Sequence, residues 1–153
     1  MWSRRPGAAL LAVVTLIAAG CGTDTTGENA YVGDVQRAQS AYLARFDQSL
    51  ARLTPTSTLA QDRRTLTEFA QIADRFRTTL LRVKPPPKLA AQHRALVAAV
   101  AAVREQFVRG GARLAGGTAA DRAVVRTQLS SAVDANQARF TQAIAAINAQ
   151  LHG

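Results

Sequence analysis

Residues 66–107 read LTEFAQIADRFRTTLLRVKPPPKLAAQHRALVAAVAAVREQF. In the first part, Leu66, Phe69, Ala73, Phe76, Leu80 and Val83 recur in steps of three and four, the spacing of a helix-bundle seam. The run Lys84-Pro85-Pro86-Pro87-Lys88 must end that helix, because proline lacks an amide donor and forces the residue before it to be extended. Pro87 suits the first position of a new helix. From there Leu89, His93, Leu96, Val100, Val103 and Phe107 resume one apolar face. Two long amphipathic helices joined by a stiff turn are the unit from which the rest of the fold is read.

The same signals extend in both directions. Upstream, a first helix is predicted from about Tyr31 to Leu53, with Val35, Tyr42, Phe46, Leu50 and Leu53 on its stripe. Thr54-Pro55-Thr56-Ser57 ends it, and Ser57 or Thr58 can cap the helix that starts at Leu59. Downstream, Gly110-Gly111 and Gly116-Gly117 are expected to bracket a frayed end of the third helix. Thr118 and Asp121 then form a capping box with Asp in place of Glu. A fourth helix should run to about Leu151, with Val125, Leu129, Val133, Phe140, Ile144, Ile147 and Leu151 inward. Short connections favour antiparallel neighbours, so the expected fold is all-α, an antiparallel up-down four-helix bundle. A long three-helix bundle with the first helix partly detached as a stalk is the runner-up. Composition agrees: 48% of residues are hydrophobic but 5% are aromatic, so the core must come from Ala, Leu and Val, which suits close helix packing.

The N-terminus reads as an export address. Arg4 and Arg5 supply a positive start, and Ala8 to Ala19 form an uncharged stretch of 12 residues. That is well short of the roughly 20 needed to span a bilayer as a helix. The run Ile17-Ala18-Ala19-Gly20-Cys21 resembles the lipobox of bacterial lipoproteins, although Ala18 stands where the family usually carries Leu. The resemblance implies cleavage before Cys21 and a diacylglyceryl group on its thiol, with Ala18, Ala19 and Gly20 as the small residues recognised. An ordinary signal peptidase could also cut there, leaving a secreted chain with a free thiol. A two-chain lipid would give stable membrane anchoring. Polar Gly22–Ala30 reads as a flexible tether. The expected organisation is signal peptide 1–20, lipidated tether 21–30 and helical domain 31–153, exported and held at the outer face of the cytoplasmic membrane.

Few classes of chemistry fit. With one Cys and two His the chain has no disulfide framework, no Cys-based zinc site and no Cys-x-x-Cys-His haem signature. No Glu-x-x-His pair on facing helices, Gly-rich phosphate loop or nucleophile elbow occurs. No cofactor and no enzymatic activity are expected. His93 and Asn136 fall on the seams of helices three and four. They read as a buried polar pair that sets register or, as the alternative, as the wall of a small-ligand pocket. Beyond the leader, 17 basic residues face 10 acidic ones. Arg63, Arg64, Arg75, Arg77 and Arg82 cluster in the second helix, a possible basic patch or simply its solvated face. An exported protein does not ordinarily meet nucleic acid, so the expected partners are the membrane, through the lipid, and anionic envelope polymers or an envelope protein. The oligomeric state is not legible.

Overall fold

The computed structural model describes residues 26–54 and 56–152, without the side chains of residues 129, 130, 132, 133, 136, 137 and 152. Ala18, Ala19, Gly20 and Cys21 lie outside these residues, as do the side chains of Leu129, Val133 and Asn136. The described chain is all-helical and contains no strand: α1 spans Thr26–Leu50, α2 Leu59–Arg82, α3 Ala90–Leu114 and α4 Ala119–His152. A 3₁₀ turn, Pro87–Leu89, leads into α3. No helix among the described residues is long and apolar enough to cross a membrane.

Local chemistry sets the helix ends. At the start of α2, the Gln61 amide donates to Thr58 Oγ1 at 3.2 Å, and the Thr58 amide donates to Gln61 Oε1 at 2.6 Å. This closes a capping box on two otherwise orphaned donors. The helix stops where Val83 turns extended (φ −72°, ψ 127°) ahead of the prolines, its amide donating to the Leu80 carbonyl at 3.0 Å. At α4 the Thr118 amide donates to Asp121 Oδ2 at 2.8 Å and the Asp121 amide returns to Thr118 Oγ1 at 3.4 Å, so Asp does replace Glu in that box.

Helix α1 differs from the sequence reading at both ends, and it closes at Leu50 instead of about Leu53. Residues 26–30, expected as tether, are helical as part of α1. An ion pair from Glu28 to Lys88 (2.7 Å) and the burial of Tyr31 and Val32 hold that first turn against its neighbours. Helix α3 ends at Leu114, between the two glycine pairs as expected, but Gly110-Gly111 are themselves helical and do not fray it. Leu114 is buried, and Gly111 faces α2, where a methyl group would make an ordinary van der Waals contact with Leu66 Cβ at 3.8 Å. Packing of this turn outweighs the roughly 1 kcal/mol that each glycine costs a helix interior.

Helix α1 packs on α2, α2 on α3 and α3 on α4. One core cluster gathers Val35, Phe76, Leu80, Leu89, Leu96, Val100, Ile144 and Ile147, and a second gathers Phe46, Leu66, Phe69, Phe107, Leu114 and Val125. Both clusters draw on all four helices, and Tyr42 packs against both. The predicted stripe residues Leu50, Leu53, Val83, Val103, Phe140 and Leu151 are partly buried against them. The chain has five Phe and two Tyr, and every one of them makes a ring contact. The tightest are Phe46 on Phe69 and Tyr42 on Phe76, stacked at 4.5 and 4.8 Å. Such pairs add about 0.5–1.5 kcal/mol beyond area burial, so sparse aromatics are spent where they bind helices together.

Candidate functional site

Helices α1 and α2 run alongside each other with Tyr42 over Phe76 and Phe46 over Phe69, which makes them antiparallel. Between their outer edges lies a groove of about 460 Å³. Its floor is apolar: Ala38, Ala41 and Tyr42 from α1, Ile72, Phe76 and Val83 from the α2 side. Four arginines rim it, Arg37 and Arg45 from α1 and Arg75 and Arg82 from α2. They are placed by helical spacing, since Arg37 and Arg45 lie eight residues apart on α1 and Arg75 and Arg82 seven apart on α2. Asp34 also lines the groove and is ion-paired to Arg37. Among the described residues Arg45, Arg75 and Arg82 form no ion pair with a carboxylate. Chemically the arrangement offers guanidinium forks, suited to phosphate or carboxylate, above a strip that favours hydrocarbon.

The five arginines that cluster in the sequence do not act as one patch. Arg75 and Arg82 line the groove; Arg77 instead lies 3.6 Å from Asp74, and Arg63 and Arg64 are exposed near the start of α2. The other half of the rim, Arg37 and Arg45, gives no cluster in the sequence, because these are the two basic residues of α1 and they lie eight apart.

His93 is 6% exposed, in the core as its seam position predicts. Its Nδ1 lies 3.2 Å from the Tyr31 hydroxyl, the two rings meet edge-on at 5.7 Å, and the Leu80 backbone of α2 lies beside the imidazole. Burial pushes the imidazole below its ordinary 6.5, and the neighbouring Leu80 backbone pulls partly back. Burial likewise raises the Tyr31 phenol to about 12. His93 thus joins α1, α2 and α3, and it lines neither the arginine groove nor the α3–α4 groove described below. The Asn136 side chain, expected as its partner, lies outside the described residues.

A second polar cluster carried no sequence signal. Asp62, buried in the first turn of α2, accepts from the Ser57 hydroxyl, from Arg122 Nε at 2.7 Å and from an Arg126 guanidinium nitrogen at 3.1 Å. Arg126 also donates to the Thr54 carbonyl at 2.8 Å, and Arg122 to the Ser57 carbonyl. Burial raises the Asp62 carboxyl, but the Ser57 and Arg122 hydrogen bonds and the charges of Arg126 and Arg122 outweigh it and hold the group below the usual 3.8. With its oxygens filled by protein donors, the cluster ties the α1–α2 loop to α4. A further groove, between α3 and α4, is walled mainly by Ala91, Ala95, Ala98, Ala99, Ala143 and Ala146 and carries Arg139 as its one charge among the described residues. Among the described residues no group of three or more His, Cys, Asp and Glu is placed to hold a metal ion.

No family model, curated protein or solved structure matches the chain.

Proposed function

We propose that this chain is an exported, non-catalytic envelope protein, anchored through a lipid on Cys21, that binds an anionic envelope component in the α1–α2 groove. In this reading the four helices form an up-down bundle standing off the outer face of the cytoplasmic membrane. The observation that carries it is the groove itself: four guanidinium groups over an apolar floor, three of them without a carboxylate partner among the described residues. Several other arginines are matched: Arg52 to Glu68 at 2.8 Å, Arg104 to Asp74 at 3.3 Å, and Arg122 and Arg126 to Asp62. Arg63, Arg64, Arg94 and Arg109 also pair with no carboxylate among the described residues, but they do not line this groove. Unmatched cations around a concave surface leave charge to be met by a ligand.

The test is retention of the full chain, in neutral detergent, on immobilised polyphosphate across a salt gradient. Arg45→Ala/Arg75→Ala and Arg63→Ala/Arg64→Ala remove the same charge from different places. Earlier elution of the groove pair alone supports the reading, with the difference shrinking as salt screens the exposed charges. Equal elution of the two pairs overturns it.

A further inference from the structure

The geometry points to a specific class of ligand: one anionic amphiphile of the phospholipid type, its phosphate between Arg45 and Arg75 and an acyl chain along the groove floor. This rests on the groove being the binding site and adds what occupies it.

The two ends of the groove are not equivalent. Because α1 and α2 are antiparallel, with Tyr42 on Phe76 and Phe46 on Phe69, Arg45 and Arg75 share one end and Arg37 and Arg82 the other. At the second end Arg37 is already paired with Asp34, the one carboxylate lining the groove among the described residues. At the first end neither guanidinium group is ion-paired with a carboxylate among the described residues, and no carboxylate of that end lines the groove. That is the stronger seat for a phosphate, which each planar guanidinium can grip through two parallel hydrogen bonds.

Between the ends the floor is hydrocarbon and aromatic: Tyr42 and Phe76, then Ala38 and Ala41, then Val83. From Arg45 back to Asp34 the groove follows 11 residues of α1, about 17 Å at the usual helical rise. Its volume of about 460 Å³ falls within the range of roughly 300–1,000 Å³ usual for small-ligand sites. A bare polyanion matches the arginines and leaves the floor unused. A neutral lipid uses the floor and leaves the arginines unmet, and a zwitterionic one brings a cation of its own to them. An amphiphile with a single anionic head satisfies both halves.

The experiment titrates the full chain, in neutral detergent, with short-chain phosphatidylglycerol, short-chain phosphatidylcholine, glycerol phosphate and polyphosphate, with binding read by calorimetry. Ala41→Trp fills the groove from an exposed position without altering charge, and Thr79→Trp does the same from α2; circular dichroism confirms that each is folded. The proposal expects one phosphatidylglycerol per chain, bound at least about tenfold more tightly than phosphatidylcholine or glycerol phosphate. It also expects a loss of about tenfold or more in Arg45→Ala/Arg75→Ala and in either tryptophan variant, and none in Arg63→Ala/Arg64→Ala. If phosphatidylcholine binds as well as phosphatidylglycerol, or if the tryptophan variants bind phosphatidylglycerol normally, the amphiphile proposal falls. Polyphosphate binding that needs Arg45 and Arg75 but ignores the tryptophans would overturn the lipid and leave the anion-binding reading standing. If no anion depends on Arg45 and Arg75, both fall.

Discussion

His93 and Asp62 are both buried, both titratable and both held by side chains from other helices, and both make the fold acid-sensitive in the same direction. The folded-state pKa of His93 lies below 6.5, so its contribution is whole above that pH and is lost as pH falls through the folded value. Urea unfolding across pH 4–8 should therefore show stability declining on the acid side of about 6.5. His93→Leu should flatten that slope, and an unchanged slope would remove His93 as its cause. For Asp62, held below 3.8, the contribution disappears at still lower pH. Asp62→Ala strands two arginines, and a loss of about 3–5 kcal/mol in unfolding free energy is expected, the usual cost of breaking a buried ion pair from one side. That His93 is buried follows from its four-residue step after Leu89 on the seam. Its partner, Tyr31, is 62 positions away and no spacing rule reaches that far. Asp62 looks in the sequence like an ordinary acid in a helix's first turn, favoured there by the dipole, and nothing nearby announces Arg122 and Arg126.

Among the elements, α2 and α4 begin where their capping boxes say they should. Thr58→Ala and Thr118→Ala should each cost about 1 kcal/mol in thermal or urea unfolding, since each removes the acceptor for an orphan amide. Phe69→Ala reaches deeper: Phe69 is 2% exposed, stacks on Phe46 and meets Phe107 at a tilt, so about 3–5 kcal/mol is expected. Starts, stops and seams were legible because caps, prolines and three-four spacing act within a few residues of the backbone they control. The first turn of α1 and the first glycine pair of α3 show the complement. Residues 26–30 are polar and Gly/Thr-containing, yet they are helical because Glu28 meets Lys88 and the turn they begin buries Tyr31. Gly110-Gly111 looks like a breaker, yet Leu114 beyond it is anchored in the core and Gly111 lies against Leu66.

For the whole molecule, the anchor proposal is checked by the intact mass of protein extracted from host membranes beside a Cys21→Ala variant. A chain starting at Cys21 with an added diacylglyceryl group is the expected result, and an unmodified chain in the medium would make this a freely diffusing secreted protein. The all-helical class, the four helices and most of the core stripe follow from the sequence alone, because periodicity and capping are local and each helix carries its own. The groove does not. Its rim joins Arg37 and Arg45 to Arg75 and Arg82, residues about thirty or more apart, and they meet because stacking of Tyr42 on Phe76 and Phe46 on Phe69 sets the register of α1 against α2. A shift of one turn along either helix, about 5.4 Å, would keep every helix and every cap and put different side chains opposite one another. Only the packed tertiary structure chooses among such registers, since the choice depends on side-chain shapes meeting across the interface and not on any pattern within one helix.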